Sequence, residues 1–251
     1  MNAPEHTCTP PVAGRKGVLY LIPSKIAVSE TNKVLPSYNL EVIRKLHLFF
    51  VENIRSARRF IADLKLNVDI AGITFEILDK GTNTGTLRKM IGRLENGSDA
   101  GIISEAGNPG IADPGSKLVA IAHKAGIRVV PLVGPSSILM GLISSGFNGQ
   151  NFAFNGYLPL KEDERKRKIK ELEKRMLRED QTQVFMETPY RNNALMKSLL
   201  TVLEPATLLC VASDITGPRQ EVRSMPVSRW KKVNFNLDKI PSVFLIYHDK
   251  S

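Results

Sequence analysis

Between residues 17 and 145 the chain repeats one pattern: a short apolar run, a stop at turn-forming residues, then a stretch with helical spacing. The runs at 17–22, 47–52, 73–78, 100–104 and 127–131 are too short for buried helices, and they read as strands buried on both faces. Segments 40–46, 53–64, 86–94, 114–125 and 135–145 read as helices between and after them. The second of these places Ile54, Ala57, Ile61 and Leu64 on one face, and the fourth has Pro114 in its first turn. Such alternation builds a parallel sheet with helices on both faces, and it leaves the C-terminal ends of all its strands along one edge.

Turn residues at 146–151 interrupt the rhythm. Beyond them, 152–158, 183–187, 207–212 and 243–247 read as strands, with helices at 161–180 and 192–203. The expected fold is therefore α/β in two domains. Residues 15–147 would carry a mostly parallel sheet with helices on both faces, 150–251 a mixed α/β sheet, and 1–14 a disordered lead-in. The run KEDERKRKIKELEKRMLRED reads first as a solvated helix face laced by i,i+4 pairs. Its Arg165–Lys168 cluster leaves phosphate contact as the alternative.

Composition narrows the function classes. No apolar run approaches the roughly 20 residues of a membrane helix, and no basic start followed by an apolar block opens the chain, so a soluble cytoplasmic protein without membrane contact is expected. Two cysteines, Cys8 and Cys210, and four histidines, His6, His47, His123 and His248, show no disulfide framework and no metal-ligand spacing. Cys210 reads as buried packing. An excess of 35 Lys and Arg over 25 Asp and Glu, a net charge of +10, favours a polyanionic partner without identifying RNA.

The strand at 100–104 runs straight into SEAGNPGIADPGS, residues 104–116, with three glycines and two prolines. Glycines permit close backbone approach to a ligand, and prolines stiffen the loop so that less entropy is lost on binding. Pro23-Ser24 after the first strand and Val133-Gly134-Pro135-Ser136-Ser137 after the fifth are similar small-residue loops. One such loop is ordinary; three on one edge suggest a shared ligand site. Neither G-x-G-x-x-G after a strand nor a P-loop occurs, which argues against a dinucleotide enzyme or an NTPase.

In order and wording these loops resemble the tetrapyrrole methylase superfamily, and within it the branch that methylates ribose 2′-hydroxyls of small-subunit ribosomal RNA. Further matching segments are LYLIPS, GIRVVPLVGPSS, NGYLP at 155–159, FMETPYR at 185–191 and VASDIT at 211–216. The resemblance implies a two-domain fold with S-adenosylmethionine in the cleft between the domains, and a homodimer acting on ribosomal RNA. Cofactor contacts carried over by motif are Pro23, Glu105, Ala106, Gly107, Ser136, Ser137, Met186, Ala212 and Ser242. The acceptor-side motifs depart from the branch: Asn53 stands where it has aspartate, 213–217 lacks two basic positions, and 239–242 lacks its K-G-E element. Methylation of a small tetrapyrrole-like metabolite, or cofactor or RNA binding without turnover, therefore stay as alternatives.

A methyl transfer demands alignment above all, but a hydroxyl acceptor benefits from a carboxylate that takes its proton. Glu52, Glu105 and Glu187 are the catalytic candidates, with Asp113 beside them, each at a strand end or loop. Asp113 also reads as an N-cap before Pro114, and Glu187 as half of a structural pair with Arg191. Arg55 reads either as a surface cation or as a ligand for acceptor phosphate, and Arg191 as a second substrate contact.

Overall fold

The computed structural model describes residues 14–248, so the expected lead-in at 1–14 falls almost entirely outside the described residues. Contacts divide the chain into two units, one of residues up to 25 with 31–134, the other of 26–30 with 135 onward.

The first unit contains β1 (Val18–Ile22), α1 (Thr31–Val34), α2 (Ser37–Lys45), β2 (Leu48–Val51), α3 (Ile54–Asp63), β3 (Thr74–Ile77), α4 (Thr84–Glu95), β4 (Ala100–Ile103), α5 (Ser116–Lys124) and β5 (Arg128–Pro131). Its strands form one sheet in the order β3-β2-β4-β1-β5, and every pairing is parallel. Alternate residues of β2 serve opposite faces, as a pleated strand requires. Phe49 and Val51 pack with Val42 and Ile43 of α2 and Ala57 and Ile61 of α3. Leu48 and Phe50 pack with Leu87, Met90 and Leu94 of α4 and Leu118 and Ala122 of α5. Both faces are thus covered by helices, which is why these strands read as continuous apolar runs.

One local expectation is corrected. Helix α5 starts at Ser116, its N-cap is Gly115, and no side chain caps it. Asp113 is therefore not the N-cap. A positive φ at Gly115 (129°) turns the chain between Asp113 and the first helical residue, so neither Asp113 nor Pro114 belongs to the first turn.

The second unit contains α6 (Ser137–Ser145), β6 (Phe152–Tyr157), α7 (Glu162–Glu179), β7 (Thr182–Met186), α8 (Asn192–Val202), β8 (Leu208–Ser213), β9 (Glu221–Pro226), α9 (Val227–Trp230) and β10 (Ser242–Tyr247). The sheet order is β6-β7-β10-β8-β9; β6 and β7 are parallel and the other pairs antiparallel. Helices α7 and α8 cover one face through Ile169, Leu172, Met176, Leu195, Met196 and Leu199. Helix α6 covers the other, setting Ile138 and Leu142 against Val184, Cys210, Val243 and Leu245. That packing groups α6 with the second unit, whereas the turn residues at 146–151 had suggested a boundary after it. Burial pushes the Cys210 thiol up to about 12, as suits an inert packing residue.

The charged helix α7 behaves as a solvated face. Lys166 pairs with Glu162, Lys168 with Glu171 and Arg175 with Glu179. Arg165 is buried instead, donating to Ser198 Oγ at 3.1 Å and to the Leu160 carbonyl at 2.9 Å. No helix among the described residues is long and apolar enough to cross a membrane.

Candidate functional site

In the first unit β4, β1 and β5 are neighbours and parallel, so the three small-residue loops leave one edge side by side. The first two are latched together. Ser24 and Gly107 exchange backbone hydrogen bonds at 2.9 and 3.3 Å, Ser24 Oγ donates to the Ser104 carbonyl at 2.8 Å, and Ser104 Oγ donates to the Gly107 carbonyl at 2.6 Å. Gly107 holds φ at 75°, where a β-carbon would be strained, so this turn needs glycine. The third loop is pressed against the first: a β-carbon on Gly134 would lie 2.2 Å from Pro23 Cγ. Asn39, fully buried on α2, anchors that loop by donating Nδ2–H to the Val133 carbonyl at 2.8 Å.

Strand β2 lies next to β4, so its end adds Glu52 and Asn53 to the same edge. The Asn53 side chain caps α3, accepting from the N–H groups of Arg55 and Ser56 at 2.9 and 3.2 Å. An aspartate would cap equally well but would add a negative charge. Ser56 Oγ donates to Glu105 Oε1 at 2.7 Å, tying the 104–107 turn to the start of α3. The acidic groups of this edge interact. Asp113 is pushed up to about 6, chiefly by burial and next by the charge of Glu52; Lys80 opposes the rise and Glu105 adds to it. Arg55 is exposed on the first turn of α3.

In the second unit the expected contacts share one end of the sheet. Met186 and Ala212 both stand opposite Val243 of β10, and Ser242 stands opposite Ser213. The loops there interlock: Asp214 N–H donates to the Pro241 carbonyl at 2.9 Å, Asn192 Nδ2–H to the Ile240 carbonyl at 2.6 Å, and Lys239 N–H to the Pro189 carbonyl at 3.2 Å. Within these loops lie the buried side-chain polar atoms that have no partner among the described residues: Arg191 Nε, Asn192 Oδ1 and Thr216 Oγ1. Buried polar atoms left without partners are costly, and a polar ligand would satisfy them. Thr216 also holds φ at 69°, a strained conformation for a β-branched residue.

Other expected residues have structural partners. Glu187 is buried and accepts from Thr188 N–H at 2.7 Å and from Arg191 Nη2 at 2.6 Å. Both are thereby engaged with each other. Ser136 is the N-cap of α6, accepting from Leu139 N–H at 3.4 Å, and Ser137 opens the helix. Among the four candidate carboxylates, Glu52, Glu105 and Asp113 come together in the first unit, and Glu187 belongs to the second. Sequence reasoning missed the latch residues Ser104, Asn39 and Ser56, whose signal was only small polar side chains beside glycine loops.

Known proteins share this architecture. The family model of tetrapyrrole (corrin/porphyrin) methylases matches residues 54–230. The ribosomal RNA small subunit methyltransferase I of Vibrio cholerae is 28% identical over 233 residues, covering 92% of this chain and 77% of its own length. Among solved structures, the methyltransferase CobJ superposes with a TM-score of 0.60 at 14% identity, over 92% of this chain and 94% of its own. The uroporphyrin-III C-methyltransferase of Thermus thermophilus, solved with S-adenosylhomocysteine, gives 0.53 at 14% identity, over 92% and 97%.

Proposed function

Because the chain belongs to the tetrapyrrole (corrin/porphyrin) methylases, we propose that it transfers a methyl group from S-adenosylmethionine to a ribose 2′-hydroxyl of small-subunit ribosomal RNA. It is a methyltransferase by family, and curated relatives matched over more than nine-tenths of this chain are named for ribosomal RNA of the small subunit. The net charge of +10 suits a polyanionic acceptor. As the resemblance implies, the enzyme works as a cytoplasmic homodimer, and light scattering coupled to size exclusion tests the pairing.

The observation that carries this reading is the latched edge of the first unit: three neighbouring strand ends closed by small-residue loops, two of them hydrogen-bonded together and the third packed against the first. When bound, the cofactor supplies an electrophilic methyl on a sulfonium. Pro23 and the Glu105-Ala106-Gly107 turn would hold it in the first unit, and the preformed latch lowers the entropy lost on binding. In the second unit Ser136, Ser137, Met186, Ala212 and Ser242 are its proposed contacts. The orphaned Arg191 Nε, Asn192 Oδ1 and Thr216 Oγ1 there offer a donor, an acceptor and a hydroxyl to a ligand rich in both kinds of group. Chemistry then depends on holding the acceptor oxygen about 3 to 3.5 Å from the methyl, in line with the breaking bond.

Incubation with labelled donor and undermethylated small subunits tests this. Label is expected in the ribosomal RNA, at a nucleotide whose 3′ phosphodiester resists alkaline cleavage. Label on a base, or only on a small metabolite, would overturn the ribose reading.

A further inference from the structure

A cavity of about 260 Å³ opens in the first unit beside the latched loops, between the segment 78–82 that follows β3 and the segment 112–117 that leads into α5. The far end of the same glycine loop that closes on Ser24 forms one of its walls. We propose that this cavity is the acceptor pocket, holding one phosphate-bearing ribonucleotide of the RNA with Asp113 as the residue that takes the proton of its hydroxyl; the inference rests on the methyltransferase reading above.

Four features of the wall support it. The volume lies just below the lower end, about 300 Å³, of ordinary ligand pockets, which suits a single nucleotide rather than a cofactor of S-adenosylmethionine's length. Leu78, Leu87 and Pro114 supply apolar surface for a base. Lys80 and Lys117 line the same space, next to the start of α5, where no side chain takes the free N–H groups; together these suit a phosphate. The two carboxylates of the wall differ in employment. Asp79 accepts from Thr82 Oγ at 2.9 Å while its own N–H donates to that oxygen at 2.8 Å, which closes the 79–82 turn. Asp113 takes part in no such turn and is half-buried.

Its surroundings set its chemistry. Burial and the charges of Glu52 and Glu105 outweigh Lys80 and bring its carboxyl to about 6, basic enough to hold a proton in the transition state and still ionised at neutral pH. In the step, the hydroxyl oxygen forms a bond to the methyl carbon. The methyl–sulfur bond breaks and its electron pair stays on sulfur, giving a neutral thioether. The hydroxyl proton passes to the Asp113 carboxylate and from there to water.

The test compares the full-length protein with two variants on undermethylated small subunits. Asp113→Asn should lower kcat roughly 10²- to 10³-fold, the span for loss of a general base. It should also abolish the acid limb near pH 6 in the wild-type kcat/KM profile. Calorimetry should show unchanged affinity for S-adenosylmethionine, which certifies the fold. Lys80→Ala combined with Lys117→Ala should raise KM for RNA about tenfold, and the loss of Lys80, whose charge opposes the rise of Asp113, should move the acid limb to higher pH. An Asp113→Asn enzyme with wild-type kcat, or one that keeps the acid limb, would overturn the inference, and so would unchanged KM in the double lysine variant. A wild-type enzyme inert toward RNA would instead remove the reading on which the inference rests.

Discussion

The strand ends of the two units solve the same problem by opposite means. In the first unit the loops are built from glycine and proline, positive φ falls mostly on glycine, and serine hydroxyls latch the turns to one another. In the second unit the loop after β8 takes positive φ at Asp214 (47°) and Thr216 (69°), neither of them glycine, and buried polar atoms stay without partners. The carboxylates differ as well. Glu187 is held by a guanidinium and a backbone N–H, whereas Asp113 sits among other acids and is raised. The difference is one of construction: a prearranged rim with a raised carboxyl in the first unit, and in the second a strained loop with unpartnered polar atoms.

The sharpest break of this contrast is Gly134→Ala. The new β-carbon would lie 2.2 and 2.3 Å from the Pro23 ring, which cannot flex away as a long side chain would. Overpacking at a rigid contact should destabilise by about 3 kcal/mol and displace Pro23 from the rim. Urea unfolding should register the first effect and calorimetry a loss of S-adenosylmethionine affinity of more than tenfold. If both stay at wild-type values, the rim is not the rigid element described.

Next in size is the carboxylate comparison. Glu187→Ala removes a side chain that is 1% exposed and satisfies two donors, and should destabilise by about 2 kcal/mol. Arg191, at 41% exposure, can turn to water, which keeps the loss below that of a fully buried pair. Glu105→Ala breaks only the exposed hydrogen bond from Ser56, so its loss should stay within about 0.5 kcal/mol. Equal losses on denaturant unfolding would erase the distinction between a structural and an available carboxylate.

How much of this could be read in the sequence follows the same division. The parallel sheet was readable because strands buried on both faces carry uninterrupted apolar runs, and the rim because glycine and proline mark turns wherever they fall. Strand β9, EVRSMP, was missed: it is an edge strand, half of it polar and ending in a proline, and its pairing is supplied by β8 rather than by its own pattern. The N-cap reading of Asp113 failed because the chain turns once more at Gly115, which takes positive φ and becomes the cap itself, so that Pro114 stands before the helix and not in its first turn. Its cluster with Glu52 and Glu105 depends on which strands are neighbours, and strand order is not written in hydrophobic periodicity. The Glu187–Arg191 pair was anticipated because four-residue spacing at a strand-to-helix junction brings the two within reach.

A gain of stability gives the most discriminating prediction. The Asp113 carboxyl sits at about 6 in the folded protein against an ordinary 3.8, so between those values the folded state holds a proton that the unfolded state has released. Stability therefore falls as pH rises from about 4 to 6, and above 6 the folded state carries a constant penalty for the ionised group. Asp113→Asn removes that penalty. Because the group is only half-buried, solvent screening reduces the gain to about 1 kcal/mol at pH 8, a rise in Tm of about 2 to 4 °C for a chain of this size. Near pH 4 the gain should vanish, since wild-type Asp113 is then protonated when folded. A residue kept only for structure should lose stability when replaced, so a variant that is more stable at pH 8 yet slower in methyl transfer would mark Asp113 as retained for chemistry. A variant less stable at every pH would assign it to the architecture of the glycine loop instead.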